Sequence, residues 1–508
     1  MDPKYRTLKE RLQEVVDLQM ASALLEWDQQ VCMPPGGIEA RGEQTGTLTR
    51  LAHERFVDPE VGRLSAALAK TPLSRDYDSD EASLVRWTER EYARKSRVPA
   101  ALVEETARHA SLAQEIWAAA RKENDFAKFA PALEKMVELK RRYADALGSF
   151  EDPYDAWLGE FEPGMKTSDL NRLFTDMKAG LVPLVKAVTE KRDAVSSAPL
   201  KGRFETAKQR LFGEEIAGAM GFDFTRGRQD ASTHPFTTNF SPDDVRITTR
   251  YDEGDFAGAL FSTLHEAGHG MYEQNVAPEL KRTPLCSGAT MGVHESQSRL
   301  WENVVGRSRP FWKRFYPRLR ELFPHFAGVE PETFYRAVNR AEPSFIRTES
   351  DELTYGLHVL VRFELEQELL RGKTKVRELP EAWNAKTKAY LGVVPPDDRR
   401  GVLQDVHWSA GLLGYFPTYA LGNLISLQLW EAALKAHPSI PVDMERGDFA
   451  KLRGWLKENV HRHGRKFTAP ELVKKAAGRD IEAAPYLRYL NAKYGEIYAL
   501  GIGAATPL

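Results

Sequence analysis

Apolar residues recur at helical spacing from the start of the chain. Tyr5, Leu8, Leu12, Val15 and Val16 sit among Lys, Glu, Gln and Arg, and the pattern runs to Trp27-Asp28 before Pro34-Pro35-Gly36-Gly37 interrupts it. A long amphipathic helix is predicted there. Further helices are predicted over 38–55 and 59–70, and another from Ser79-Asp80-Glu81, carrying Leu84, Val85, Trp87 and Tyr92 and stopping before Pro99. Residues 100–147 continue in the same style with few breakers, so the first 150 residues read as a helical array.

Between residues 148 and 167 the texture changes. Pro153, Gly159, Pro163 and Gly164 fall among aromatics, which marks a packed loop and the best place for a subdomain junction. Helical patterns resume over 168–195 and 204–220. The clearest strand is 245–251, where β-branched residues alternate with polar ones in Val-Arg-Ile-Thr-Thr-Arg-Tyr. From residue 256 onward the chain is again mostly helical, punctuated by prolines from Pro310 to Pro441. No internal repeat or low-complexity tract stands out. The expected class is mainly α with a small β element.

Composition narrows the functional classes. The chain has 508 residues, with 71 Lys+Arg against 73 Asp+Glu and a formal charge of −2, which argues against a nucleic-acid binder working through a basic field. At 42% hydrophobic residues, a large packed core is available and disorder is excluded as the main state. Two cysteines, Cys32 and Cys286, can build neither a disulfide framework nor a cysteine-ligated zinc site, and they fit a reducing compartment. No apolar run has signal-peptide or membrane-spanning character, so a soluble cytoplasmic protein is expected, without membrane partners.

The most informative segment is Leu264-His265-Glu266-Ala267-Gly268-His269, an HExxH pattern in a helical context. His265 and His269, four apart, project from one helix face and can share one tetrahedral zinc. Glu266 sits where its carboxylate can take a proton from water at the metal without binding the metal itself. The competing reading is a solvated surface helix. Against it, Phe256, Leu260, Phe261, Leu264, Ala267, Gly268 and Met271 imply a mostly buried helix, where unpaired His and Glu are costly. A third ligand is required. The helix-like segment 292–303 offers Glu295 and Glu302, of which Glu295 is the choice; His294 beside it is an alternative ligand but reads better as a pocket residue.

At this point the chain resembles the Taq-type, or thermostable-type, zinc metallocarboxypeptidase family, whose fold is related to the gluzincins neurolysin and angiotensin-converting enzyme. Six marks stand in order: His234-Pro235-Phe236, Asp244-Val245-Arg246-Ile247-Thr248, His265 to His269, His294-Glu295-Ser296-Gln297, Ile346-Arg347-Thr348-Glu349-Ser350-Asp351, and Gly401-Val402-Leu403-Gln404-Asp405-Val406-His407-Trp408. Trp27-Asp28-Gln29 and Met33-Pro34 extend the likeness to nearly the whole chain. The resemblance implies a neurolysin-like helical peptidase fold with a deep groove and a small sheet beside the zinc helix. It implies one peptidase domain over 1–508, with 1–150 as a helical lid and 165–508 as the catalytic body. It also implies a zinc- or cobalt-dependent enzyme, usually a homodimer, that removes single residues from peptide C-termini.

Roles follow for the remaining residues. A free C-terminal carboxylate calls for an Arg fork; Arg347 is the first choice, with a salt bridge to Asp351 as its rival, and Arg246 the second, with a pair to Asp244 as its rival. His234 is a substrate subsite or a turn residue. An oxyanion donor besides the metal is expected from His407 or Tyr419. Strand 245–251, as an edge strand beside the metal helix, would let an extended peptide add main-chain hydrogen bonds with little sequence preference. The run from His461 to Lys466 reads as a helix C-cap. Two alternatives stand beside the carboxypeptidase: an oligopeptidase or dipeptidyl carboxypeptidase on the same scaffold, and a metal-binding protein without catalysis, for which Glu266 would be unnecessary.

Overall fold

The computed structural model describes residues 2–501. Helices dominate it, with a small three-stranded sheet. The predicted opening helices form Pro3–Val31, Ile38–Phe56, Pro59–Leu68 and Asp80–Arg97. Their apolar stripes meet: Tyr5, Leu8, Leu12 and Val15 join Phe56, Val61, Leu64, Leu84 and Val85 in one buried cluster that also takes in Leu280 and Leu285. Each such side chain contributes about 1.5–3 kcal/mol by leaving water.

The 100–147 stretch is two helices, Ala100–Glu123 and Phe126–Leu147. Asn124 ends the first in the left-handed region (φ 57°), and the Asp125 side chain caps the second by accepting from the Lys128 backbone N–H. Within 148–167 a short helix, Tyr154–Leu158, buries every residue except Asp155, as a packed aromatic loop requires.

Contacts divide the chain into two compact units. Among the described residues, one comprises 2–96, 197–338 and 429–479; the other comprises 97–196, 339–428 and 480–501. Residues 1–150 are thus shared between the units, and the 148–167 stretch lies inside the second.

The sheet belongs to the first unit. Strands β1 (Gly227–Ala231), β2 (Thr237–Ser241) and β3 (Asp244–Thr249) lie in the order β1-β3-β2, with β1 parallel and β2 antiparallel to β3. The expected edge strand is therefore the central one. Both margins of β3 are already hydrogen-bonded, so peptide addition to it is ruled out, and β2 and β1 form the edges. Against β3 and β2 packs the helix Phe256–Gln274, which carries the HExxH motif. Among the described residues no helix is long and apolar enough to cross a membrane.

Candidate metal centre

The Phe256–Gln274 helix starts at Asp255, whose side chain accepts from the Gly258 backbone N–H, and most of its residues are buried. A second helix, Met291–Arg299, crosses it at contact distance because Gly268 has no side chain. A Cβ there would stand 2.7 Å from Ser298 Cα and 2.8 Å from the Gln297 carbonyl oxygen. This approach brings Glu295 to the histidines. His265 Nε2 lies 3.8 Å and His269 Nε2 3.7 Å from the same Glu295 oxygen, and the three ligand atoms fall within 4.8 Å of one another. Two imidazole nitrogens and one carboxylate, converging and largely buried, match the donor set of a catalytic zinc site with one position open.

Each of these groups is held from behind. His265 Nδ1 lies 2.9 Å from Glu302 Oε2. Glu302 sits on a π-helical stretch, Leu300–Val305, that continues the second helix. Arg299 donates 2.7 Å to Glu295 and 3.2 Å to Glu302, tying the two carboxylates together. Burial works against the Glu302 charge, but Arg299, His265 and Arg307 outweigh it and hold its pKa down at about 2. Burial likewise opposes charge on His265, yet Glu295 and Glu302 tip that ring toward protonation; His269, buried beside His294 and His265, is pushed well the other way.

Glu266 is buried against β2. Thr237 Oγ1 donates to Glu266 Oε2 at 2.6 Å and lies 3.0 Å from its backbone oxygen. Burial raises the Glu266 pKa above the ordinary carboxylate value, with His265 and the Thr237 bond opposing. His234 is exposed in the turn between β1 and β2, where its carbonyl accepts from Ser232 Oγ. Arg246 is engaged by its rival partner, donating to both Asp244 oxygens at 3.0 Å, with its guanidinium 4.2 Å from the Trp27 ring centre and 4.9 Å from that of Phe240.

The second unit holds a separate constellation. Arg347 is buried and does not pair with Asp351, which instead caps the 351–354 turn by accepting from the Leu353 and Thr354 backbone N–H groups. Its guanidinium donates to Asp405 Oδ1 at 2.8 and 3.1 Å and to Tyr355 Oη at 2.9 Å. Arg362, wholly buried, donates to the other Asp405 oxygen at 2.7 Å. Although burial resists it, the two guanidiniums hold Asp405 ionised well below the usual carboxylate range. Two cations face one carboxylate, so these three groups together keep one positive charge. Tyr419 lies over the Arg347 guanidinium, 5.0 Å from ring centre to Cζ, and its hydroxyl is 3.4 Å from His407 Nε2. Burial first, then Arg347 and Arg362, press the His407 pKa down to about 4, so the ring is neutral at physiological pH.

Sequence reasoning passed over several of these supports. Asp405 stands in a quoted motif without a role, Thr237 directly follows His234-Pro235-Phe236, and Glu302 is weighed only as a ligand. Nothing in the local pattern marks Arg362 or Tyr355. The 461–466 run is more than a helix end: His461 is buried and its Nε2 lies 2.8 Å from the side-chain oxygen of Gln297, next but one to Glu295.

A family model described as Carboxypeptidase Taq (M32) metallopeptidase matches residues 7–494. Among curated relatives, thermostable carboxypeptidase 1 of Thermus thermophilus is 41% identical over 503 residues, covering 97% of this chain and 99% of the relative. Carboxypeptidase 1 of Bacillus subtilis is 38% identical, with 94% and 96% covered. The crystal structure of the M32 carboxypeptidase from Deinococcus radiodurans R1 superposes with a TM-score of 0.94 at 43% identity, covering 98% of this chain and all of that one (100%).

Proposed function

The chain belongs to the Carboxypeptidase Taq (M32) metallopeptidase family and is a metallocarboxypeptidase, and from that premise we propose that it releases single amino acids from the free C-termini of peptides with broad specificity. The observation that carries the chemistry is the His265, His269 and Glu295 triplet with Glu266 buried beside it. These donors suit zinc, with cobalt as a substitute. A zinc ion held there supplies a Lewis acid that polarises the scissile carbonyl and acidifies water.

The chain's own groups do the rest. Glu266, steadied by Thr237, takes the proton from the attacking water and returns it to the leaving amine; no covalent intermediate forms. Arg347 receives the substrate's terminal carboxylate, which the unbalanced charge of the Arg347, Arg362 and Asp405 cluster favours. Because that anchor reads a group common to every peptide C-terminus, it supports broad specificity. Arg246 and His234 take secondary contacts. Neutral His407 and Tyr419 donate to the developing oxyanion. The N-terminal helices as a lid over a deep groove, a cytoplasmic location and a homodimer complete the proposal from the resemblance; a sedimenting mass of twice 57.4 kDa is the expected result for the last.

Paired variants test the scheme. Glu266→Gln should bind zinc like the wild type and lose about 10²–10⁴-fold in turnover. His269→Ala should lose the metal, so a metal-free His269→Ala protein that still cleaves peptides contradicts the proposal.

A further inference from the structure

The two histidines of the motif are supported in unlike ways. Behind His265 stands a carboxylate, Glu302. Behind His269 stands another imidazole: its Nδ1 lies 2.6 Å from His294 Nδ1, and His294 Nε2 lies 2.7 Å from Glu273 Oε1. Glu273 is itself fully committed. Its Oε1 also accepts from Ser287 Oγ and the Gly288 backbone N–H, both at 2.9 Å, and its Oε2 accepts from Asn239 Nδ2 on β2 at 2.9 Å. The His294 ring is wedged between Tyr272, with ring centres 5.2 Å apart, and Gly288, where a Cβ would stand 2.4 Å from His294 Cδ2.

Proton counting orders this chain in one way. A neutral imidazole has one N–H. For His269 to offer the Nε2 lone pair to a metal, its proton must be on Nδ1, and that N–H then donates to His294 Nδ1. With Nδ1 used as an acceptor, His294 must carry its own proton on Nε2, which donates to Glu273. The reverse order puts the His269 proton on the nitrogen that faces Glu295 and leaves no N–H between His294 and Glu273.

We propose that Glu273 and His294 are positioning residues, a proton-ordered relay that locks His269 in the metal-binding tautomer and orientation. The inference rests on the proposed ligand set. It assigns His294, which adjoins Glu295 in sequence, to the support of a different ligand.

Competition of zinc between the protein and a chromophoric chelator reads the relay without reference to catalysis. His294→Phe keeps the ring between Tyr272 and Gly288 but removes the acceptor, and should weaken zinc binding about 10–100-fold. His294→Asn restores an acceptor oxygen near the Nδ1 position and should recover part of that loss. Wild-type affinity in the Phe variant, or equal weakening in both, overturns the relay. His269→Ala, measured alongside, separates the two levels: if it binds zinc as the wild type does, the ligand set fails and the relay with it. If it loses zinc while His294→Phe does not, the relay alone fails. Long-range ¹⁵N–¹H correlation on zinc-loaded, histidine-labelled wild-type protein, with His294 assigned from its absence in the Asn variant, adds a reading that needs no variant to bind metal. A His294 proton on Nε2 is expected, and one on Nδ1 overturns the proposal.

Discussion

At the scale of single residues, the proposed ligands stand in a readable pattern and the groups behind them do not. HExxH declares itself because four-residue spacing on a helix places two imidazoles on one face, a local fact of the chain. Glu302 reaches His265 from 37 positions away and Asp405 reaches Arg347 from 58, and no periodicity encodes such contacts. The Arg347 case shows the difference best. Asp351, four residues on, is the rival partner that spacing offers, yet Asp351 is needed by its own turn, and the Arg347 guanidinium is met by Asp405. Arg347→Lys would keep the cation but lose the fork shared between Asp405 and Tyr355. Hydrogen bonds to a charged group contribute about 1.5–3 kcal/mol, so kcat/KM for peptides with free C-termini should fall roughly 10–100-fold. Steady-state kinetics on free and amidated peptides would show their ratio shrinking; an unchanged ratio would remove Arg347 from carboxylate binding.

At the scale of elements, the long helices were legible because each carries an unbroken apolar stripe, whereas β1 and β2 were not. Gly227–Ala231 reads Gly-Arg-Gln-Asp-Ala and Thr237–Ser241 reads Thr-Thr-Asn-Phe-Ser; neither alternates, and both depend on β3 for their hydrogen bonds. The close approach of two helices positions the proposed metal site. Gly268→Ala must push backbone against backbone at Ser298 and Gln297, an overpacking that costs about 1–3 kcal/mol. Both a lower melting temperature and weaker zinc binding are expected, since the same shift moves Glu295 away from the histidines; a variant with wild-type zinc affinity would show that the spacing is not critical.

A second element-level prediction concerns helix Tyr355–Leu370, which buries Glu366 completely against Tyr154 Oη, the Gly414 backbone N–H and Trp408 Nε1. Burial raises its pKa from 4.5 to about 7 despite those donors. The folded state thus holds this proton more tightly than the unfolded one. Its contribution is fully present below pH 4.5 and is lost as pH rises toward 7. At about 1.4 kcal/mol per pH unit, that is on the order of 3 kcal/mol. Glu366→Gln should therefore gain stability relative to the wild type as pH goes from 4.5 to 7 in denaturant titrations; parallel pH profiles for the two proteins would refute the assignment.

For the whole molecule, class and family were legible across nearly the full length, because six motifs recur in order and the helical stripes span both compact units. The division into units was hidden, since each is assembled from three separate chain segments. The proposed reaction is hydrolysis of the last peptide bond at a free C-terminus by metal-assisted attack of water. Mass spectrometry of a peptide incubated with zinc-loaded protein tests it most directly, beside a C-terminally amidated copy and a chelated control. The predicted result is a ladder losing one residue at a time, absent from the amidated peptide and abolished by the chelator. Internal cuts, dipeptide losses, or a ladder that survives chelation would contradict it.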